Sequence, residues 1–212
     1  MPPRLASGLG ALLLVVGAAS ARADDQPPLV PTRDVAVTYQ VQDPQGTSRI
    51  VHMYFDAADQ RVHIDMSSQP GFLVIDHKAD EVTMVNSATH SYIQVPAPPS
   101  MGNLMFRTPD LHLVRQGTQT VAGHTCTIWQ MSQGGHAGGD ACITADGVVL
   151  SGRPANAPSP DTGIQATAVS YGPQPASLFM APVGYERIQP TLPPAGVGAP
   201  NGSPPSAAPA KP

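Results

Sequence analysis

Lysine and glutamate are nearly absent from this 212-residue chain: the only lysines are Lys78 and Lys211, and the only glutamates are Glu81 and Glu186. Aromatic residues make up 5% of the sequence, with a single tryptophan, and there are two cysteines. Each scarcity excludes something. So few cationic residues leave no electrostatic footprint for nucleic acid. They also suit anionic lipid surfaces poorly, where each Lys or Arg contributes ~1 kcal/mol. The low aromatic content removes the girdles of a membrane barrel. Catalytic signatures are missing as well. There is no Gly-x-Ser-x-Gly elbow, Ser-x-x-Lys, His-Glu-x-x-His or P-loop, and no apolar run is long enough to cross a bilayer, which takes ~20 residues.

What is present starts at the N-terminus. A short basic start ending at Arg4 precedes the apolar run Leu9–Ala19, and Ala21-Arg22-Ala23 is a small-x-small cleavage site followed by Asp24-Asp25. That order is a secretory signal peptide, cleaved after Ala23. No cysteine follows the run and no Arg-Arg pair precedes it, which predicts a soluble, exported protein in the periplasm or outside the cell. Removing Arg4 and Arg22 leaves nine basic residues against fifteen acidic ones, a net charge of −6. Cys126 and Cys142, with fifteen residues between them, read as a disulfide in an oxidising compartment.

Residues 24–32 form a Pro-rich leader expected to stay loose, residues 33–188 carry the hydrophobic pattern, and 189–212 are a Pro/Ala/Gly/Ser tail expected to be disordered. Within the central region the pattern has period two, the mark of half-buried strands. Val35, Val37, Tyr39 and Val41 share one face; a turn at Asp43-Pro44-Gln45-Gly46 leads to Val51, Met53 and Phe55. After Ala57-Ala58, Val62, Ile64 and Met66 continue the pattern. Short strands follow over 72–76, 81–85, 91–95, 111–119, 125–131, 140–144, 148–151 and 163–171. Met101–Phe106 reads as a short helix or loop strand, Gly134–Gly139 as a flexible loop, and Pro175–Phe179 as one helical turn. The fold class is therefore all-β: a curved antiparallel sheet or incomplete barrel of about ten short strands, with little helix and one hairpin disulfide.

Candidate sites come from three residue groups. The methionines Met53, Met66 and Met84, with Phe55, Ile64 and Trp129, present soft apolar side chains suited to a lipid or other apolar ligand. Histidines form the second group. A two-residue Ala57-Ala58 turn sets His52 opposite His63 and Tyr54 opposite Arg61, and facing imidazoles are half of a transition-metal site. The third is the carboxylate pair Asp65 and Asp76. No catalytic residue and no cofactor are assigned. An apolar small molecule or an envelope protein are the expected partners, and no integral membrane segment is expected.

A family resemblance rests on specific stretches: Gln60-Arg61-Val62-His63-Ile64-Asp65, Gly71–Asp76 (GFLVID) and the Tyr92 strand ending in proline. Val121-Ala-Gly-His-Thr-Cys126-x-x-Trp129 and Ala141-Cys142-x-Thr144-x-Asp146-Gly147 complete it. Over residues 33–188 the chain resembles exported bacterial proteins of domain-of-unknown-function family 4412. The resemblance implies a curved antiparallel sheet like those of the lipoprotein carriers LolA and LolB, and no established activity. Fold likeness of this kind does not deliver function. Two functional readings follow: a binding module with a concave apolar sheet face, or an envelope interaction protein with a filled core.

Overall fold

The computed structural model of the protein describes residues 26–97 and 110–189. The expected signal peptide, the Met101–Phe106 segment and the tail beyond residue 189 lie outside the described residues. Twelve strands form one sheet in the order β12-β6-β5-β4-β3-β2-β1-β11-β10-β9-β8-β7. Its first half is a meander: β1 (Val35–Gln42), β2 (Ser48–Asp56), β3 (Arg61–Met66), β4 (Gly71–Asp76), β5 (Glu81–Asn86) and β6 (Ser91–Pro96). Its second half is another: β7 (Leu111–Val121), β8 (His124–Gln133), β9 (His136–Ile143), β10 (Val149–Pro154) and β11 (Gly163–Tyr171). A 3-10 turn at Ala176–Phe179 follows, and the two-residue β12 (Glu186–Arg187) pairs parallel to β6. The expected all-β class, the curved sheet and the hairpin disulfide are all present.

A strict periodicity organises the first half. Strands β3 to β6 start ten residues apart, each six residues long and joined to the next by a four-residue loop. After β2, β4 and β5 the residue that ends the strand caps the loop. Asp76 Oδ1 accepts from the amides of Lys78 and Ala79, and Asn86 Oδ1 from those of Ala88 and Thr89. Asp56 does the same for Asp59. Such Asx turns satisfy backbone donors the loop would leave unpaired.

The β2–β3 loop corrects the expected register. It has four residues, 57–60, rather than two, and closes with Gln60 in the left-handed region at φ 54°. Phe55 therefore faces Val62, Tyr54 faces His63, and His52 faces Asp65. His52 and His63 are not opposite one another. The shift is by two residues, so every side chain keeps its predicted face.

Two further departures occur later in the chain. The Gly134–Gly139 stretch is mostly strand: Gly134 and Gly135, with φ of 54° and 80°, make the turn, and β9 begins at His136. A two-residue turn with both φ positive matches the twist of a hairpin, which is why two glycines suffice. The edge segment β12 follows a Pro-rich stretch with no alternation to announce it. Of the leader, residues 26–32 are described; Leu29 packs in a core cluster and the Thr32 amide donates to the Asp146 carbonyl.

The main core joins both halves. Val35, Phe55, Val62, Ile75 and Val82, successive cross-strand partners on one face, are all buried and cluster with Val121, Cys126, Cys142, Val148 and Leu150. Burying a side chain of this size contributes about 1.5–3 kcal/mol. Leu113, Trp129, Ala141 and Ile143 form a second cluster with Leu29 and Met131. Irregularities in the pairing of β7, β8, β10 and the β1–β11 ladder bend the second half. It curls until β7 touches β11, although three strands separate them in the sheet.

Candidate functional site

Cross-strand pairing sorts the apolar face of the first half into rows. Beside the buried row of Val35 and Phe55 runs a second one: Met53, Ile64, Leu73, Met84 and Ile93, each opposite the next across β2 to β6. Four of these are half-buried and Met84 is 37% exposed. Three of the six sequence-predicted apolar site residues, Met53, Ile64 and Met84, thus share one row. Phe55 lies in the buried row. Met66 pairs with Val51 one step the other way, and Trp129 is buried in the second cluster. Trp129 Nε1 meets no acceptor among the described residues.

The reverse face of β2 to β6 is covered differently. His63 is buried there, stacked on Phe72 at 4.4 Å and edge-on to Tyr54 at 5.4 Å. Its Nδ1 lies 2.6 Å from the Leu178 carbonyl, and the Arg61 guanidinium sits 5.1 Å over the Phe179 ring. The segment after β11 therefore crosses this face as a strap, anchored at its far end by the pairing of β12 with β6. Burial lowers the His63 pKa below 6.5, although the Leu178 hydrogen bond and the nearby Asp65 charge oppose it.

His63 thus holds the strap instead of facing His52 as half of a metal site. His52 is half-buried, with Nδ1 3.1 Å from Thr38 Oγ1. Among the described residues no group of three or more His, Cys, Asp or Glu is placed to hold a metal. The carboxylates Asp65 and Asp76 belong to different rows. Asp65 faces His52 and Phe72, whereas Asp76 caps its loop.

A concavity that the sequence did not reveal lies in the curled half. The cleft has a volume of about 530 Å3. One row of side chains crosses it: Gln40, Gln165, Ser151, Cys142 and Ile128, each opposite the next on β1, β11, β10, β9 and β8. Gln42 and Gln119 add to the lining, and at the rim Arg153 pairs with Asp140 at 3.2 Å. The disulfide Cys126–Cys142, with Cα atoms 5.4 Å apart, ties β8 to β9 beneath it. These glutamines escaped notice because they fall on the polar side of three different strands. Only the sheet order brings them together.

No family model and no curated protein matches this chain. The expected resemblance to domain-of-unknown-function family 4412 finds no support in these comparisons. Among solved structures, the fold is similar to that of an uncharacterized conserved protein from Thermus thermophilus. The TM-score is 0.50 at 16% identity, with 74% of this chain and 91% of that one covered. A looser likeness, TM-score 0.46 at 16% identity, links 78% of this chain to 61% of MucB. The MucA/MucB complex of Pseudomonas aeruginosa gives 0.40 at 12%, covering 77% and 62%. At these identities the Thermus likeness speaks to the fold alone, and no function is drawn from the MucB likenesses. No helix among the described residues is long and apolar enough to cross a membrane.

Proposed function

We propose that this chain is an exported cell-envelope binding protein without catalytic activity, holding a lipid or other apolar ligand along the row Met53, Ile64, Leu73, Met84 and Ile93. The observation that supports this reading is the graded exposure of that row beside a fully buried one. Singly exposed apolar residues are ordinary, but an unbroken cross-strand row of five is a patch. Two flexible methionines let it accept chains of differing shape. Phe55 and Met66 flank the row, and Trp129 serves the second core.

Native mass spectrometry of the protein from its own host tests the reading, and a co-purifying apolar molecule is expected. Dodecanoate is the probe for the row itself. Met84→Asp should weaken its binding by about tenfold, the effect of a charge against an acyl chain. Ligand-free spectra together with dodecanoate affinity unmoved by Met84→Asp overturn it.

A second reading, an envelope interaction protein with a filled core, draws on a separate observation. Both core clusters are packed, and the 530 Å3 concavity is lined largely by polar side chains rather than apolar ones.

A further inference from the structure

The cleft of the curled half carries chemistry that the apolar row does not. Its size falls within the ~300–1,000 Å3 typical of ligand sites. The side-chain amides of Gln42, Gln119 and Gln165 have no hydrogen-bond partner among the described residues. Gln40 donates through Nε2 to Ser48 Oγ at 3.1 Å, which leaves its oxygen to accept. A glutamine amide offers two donors and one acceptor oxygen, the same complement a peptide main chain seeks. On the same face, the row that carries Gln165 and Ser151 ends on the apolar side chain of Ile128.

What the cleft lacks narrows the class of ligand. Among the described residues no aromatic side chain lines it, so a sugar ring finds no flat face to stack on. At the rim two carboxylates, Asp140 and Asp161, stand against one guanidinium, Arg153. That balance disfavours an anion and tolerates a cation. The Arg153–Asp140 pair keeps 51% and 39% of its side chains exposed, so it does not seal the cleft.

We propose that this cleft binds an extended, neutral or basic polypeptide segment of another protein, chiefly through the segment's main chain. Glutamine amides pair with successive peptide groups, and Ile128 takes a short side chain beside them. The site is separate from the apolar row and does not depend on it. Recognition through the main chain is tolerant of sequence, so affinity is modest and a mixed probe suffices.

The test uses isotope-labelled protein expressed with its own leader and titrated with a pool of blocked hexapeptides of Ala, Ser, Thr, Gln and Lys. The side-chain amide resonances of Gln42, Gln119 and Gln165 should shift and saturate. Gln165→Leu and Gln119→Ala should each weaken binding about tenfold, the cost of one or two neutral hydrogen bonds. Ser151→Trp, which fills the cleft, should abolish it, with the melting temperature checking that each variant is folded. Absence of shifts at millimolar peptide overturns the proposal, as does affinity unchanged by Ser151→Trp. Dodecanoate is titrated in parallel. Shifts of the cleft amides with dodecanoate and none with peptide overturn the peptide site. Dodecanoate binding at the row leaves the cleft result to stand on its own.

Discussion

At neutral pH the hydrogen bond from His63 to the Leu178 carbonyl fixes the tautomer, with the proton on Nδ1 and the ring uncharged. Burial favours that neutral form and lowers the folded-state pKa, while the unfolded chain titrates near 6.5. In between, the unfolded state binds more protons than the folded one, so stability falls as pH drops. The contribution of neutral His63 is complete above pH 6.5 and is lost as pH falls through that value toward the folded pKa. Thermal melts at pH 7.5 and pH 5 should differ more for the native chain than for His63→Gln, which has no titrating ring. Equal pH dependence would show that His63 is not the responsive group. Asp56 acts in a separate window. Burial raises its pKa, but hydrogen bonds from Arg61 and the Asp59 amide outweigh that, and the net shift is below 3.8. None of this was legible in the sequence, where His63 alternates with apolar residues like any polar-face side chain. Its burial comes from Leu178 and Phe179, more than a hundred residues later.

Elements were more legible than residues. Period-two alternation located β1 to β5 closely, because each buries one face and the pleat enforces the alternation. Loop length was the weak point. Ala57-Ala58 looked like a complete turn only because Gln60 gives no sign of its positive φ. The ten-residue spacing of the strand starts would have supplied the correct register. Asp76→Ala, which orphans two amides, should cost about 1–2 kcal/mol of stability, measurable by urea unfolding. The same variant should leave peptide binding in the distant cleft unchanged. The β8–β9 hairpin offers a second test. The bridge between Cys126 and Cys142 closes a fifteen-residue loop worth about 3 kcal/mol in the chain-entropy account. Reduction should lower the melting temperature by several degrees, and an unchanged value would mean that packing alone holds the hairpin.

On the scale of the whole molecule, the class was readable and the arrangement was not. Alternation says that a strand has a buried face, but not which strand lies beside it. The pairing of β1 with β11 and the curl that brings β7 to β11 depend on contacts between segments distant in sequence. The two candidate surfaces depend on that arrangement to different degrees. The apolar row is built within the first meander, so a five-strand stretch of the chain determines it. The cleft needs both meanders, since Gln40 and Gln42 come from the first and the rest of its lining from the second. A variant that weakens β1–β11 pairing, such as Ala166→Asp at a buried position facing Tyr39, should therefore lose the cleft before it loses the row. Hydrogen exchange would show it, with β11 amides exposed while β3 to β5 stay protected.

The place of β1 in the sheet bears on how the protein is made. A chain made N-terminus first delivers β1 to β6 early, and these can pair as they emerge. One side of β1, the valine-rich Val35–Gln42, has no partner until Gly163–Tyr171 arrives. During that interval the emerging chain carries an open, apolar strand edge, the kind of surface that recruits other strands. Production at high level should thus be limited by the wait for β11, and chains truncated before Gly163 should aggregate or be degraded rather than accumulate as a half-sheet.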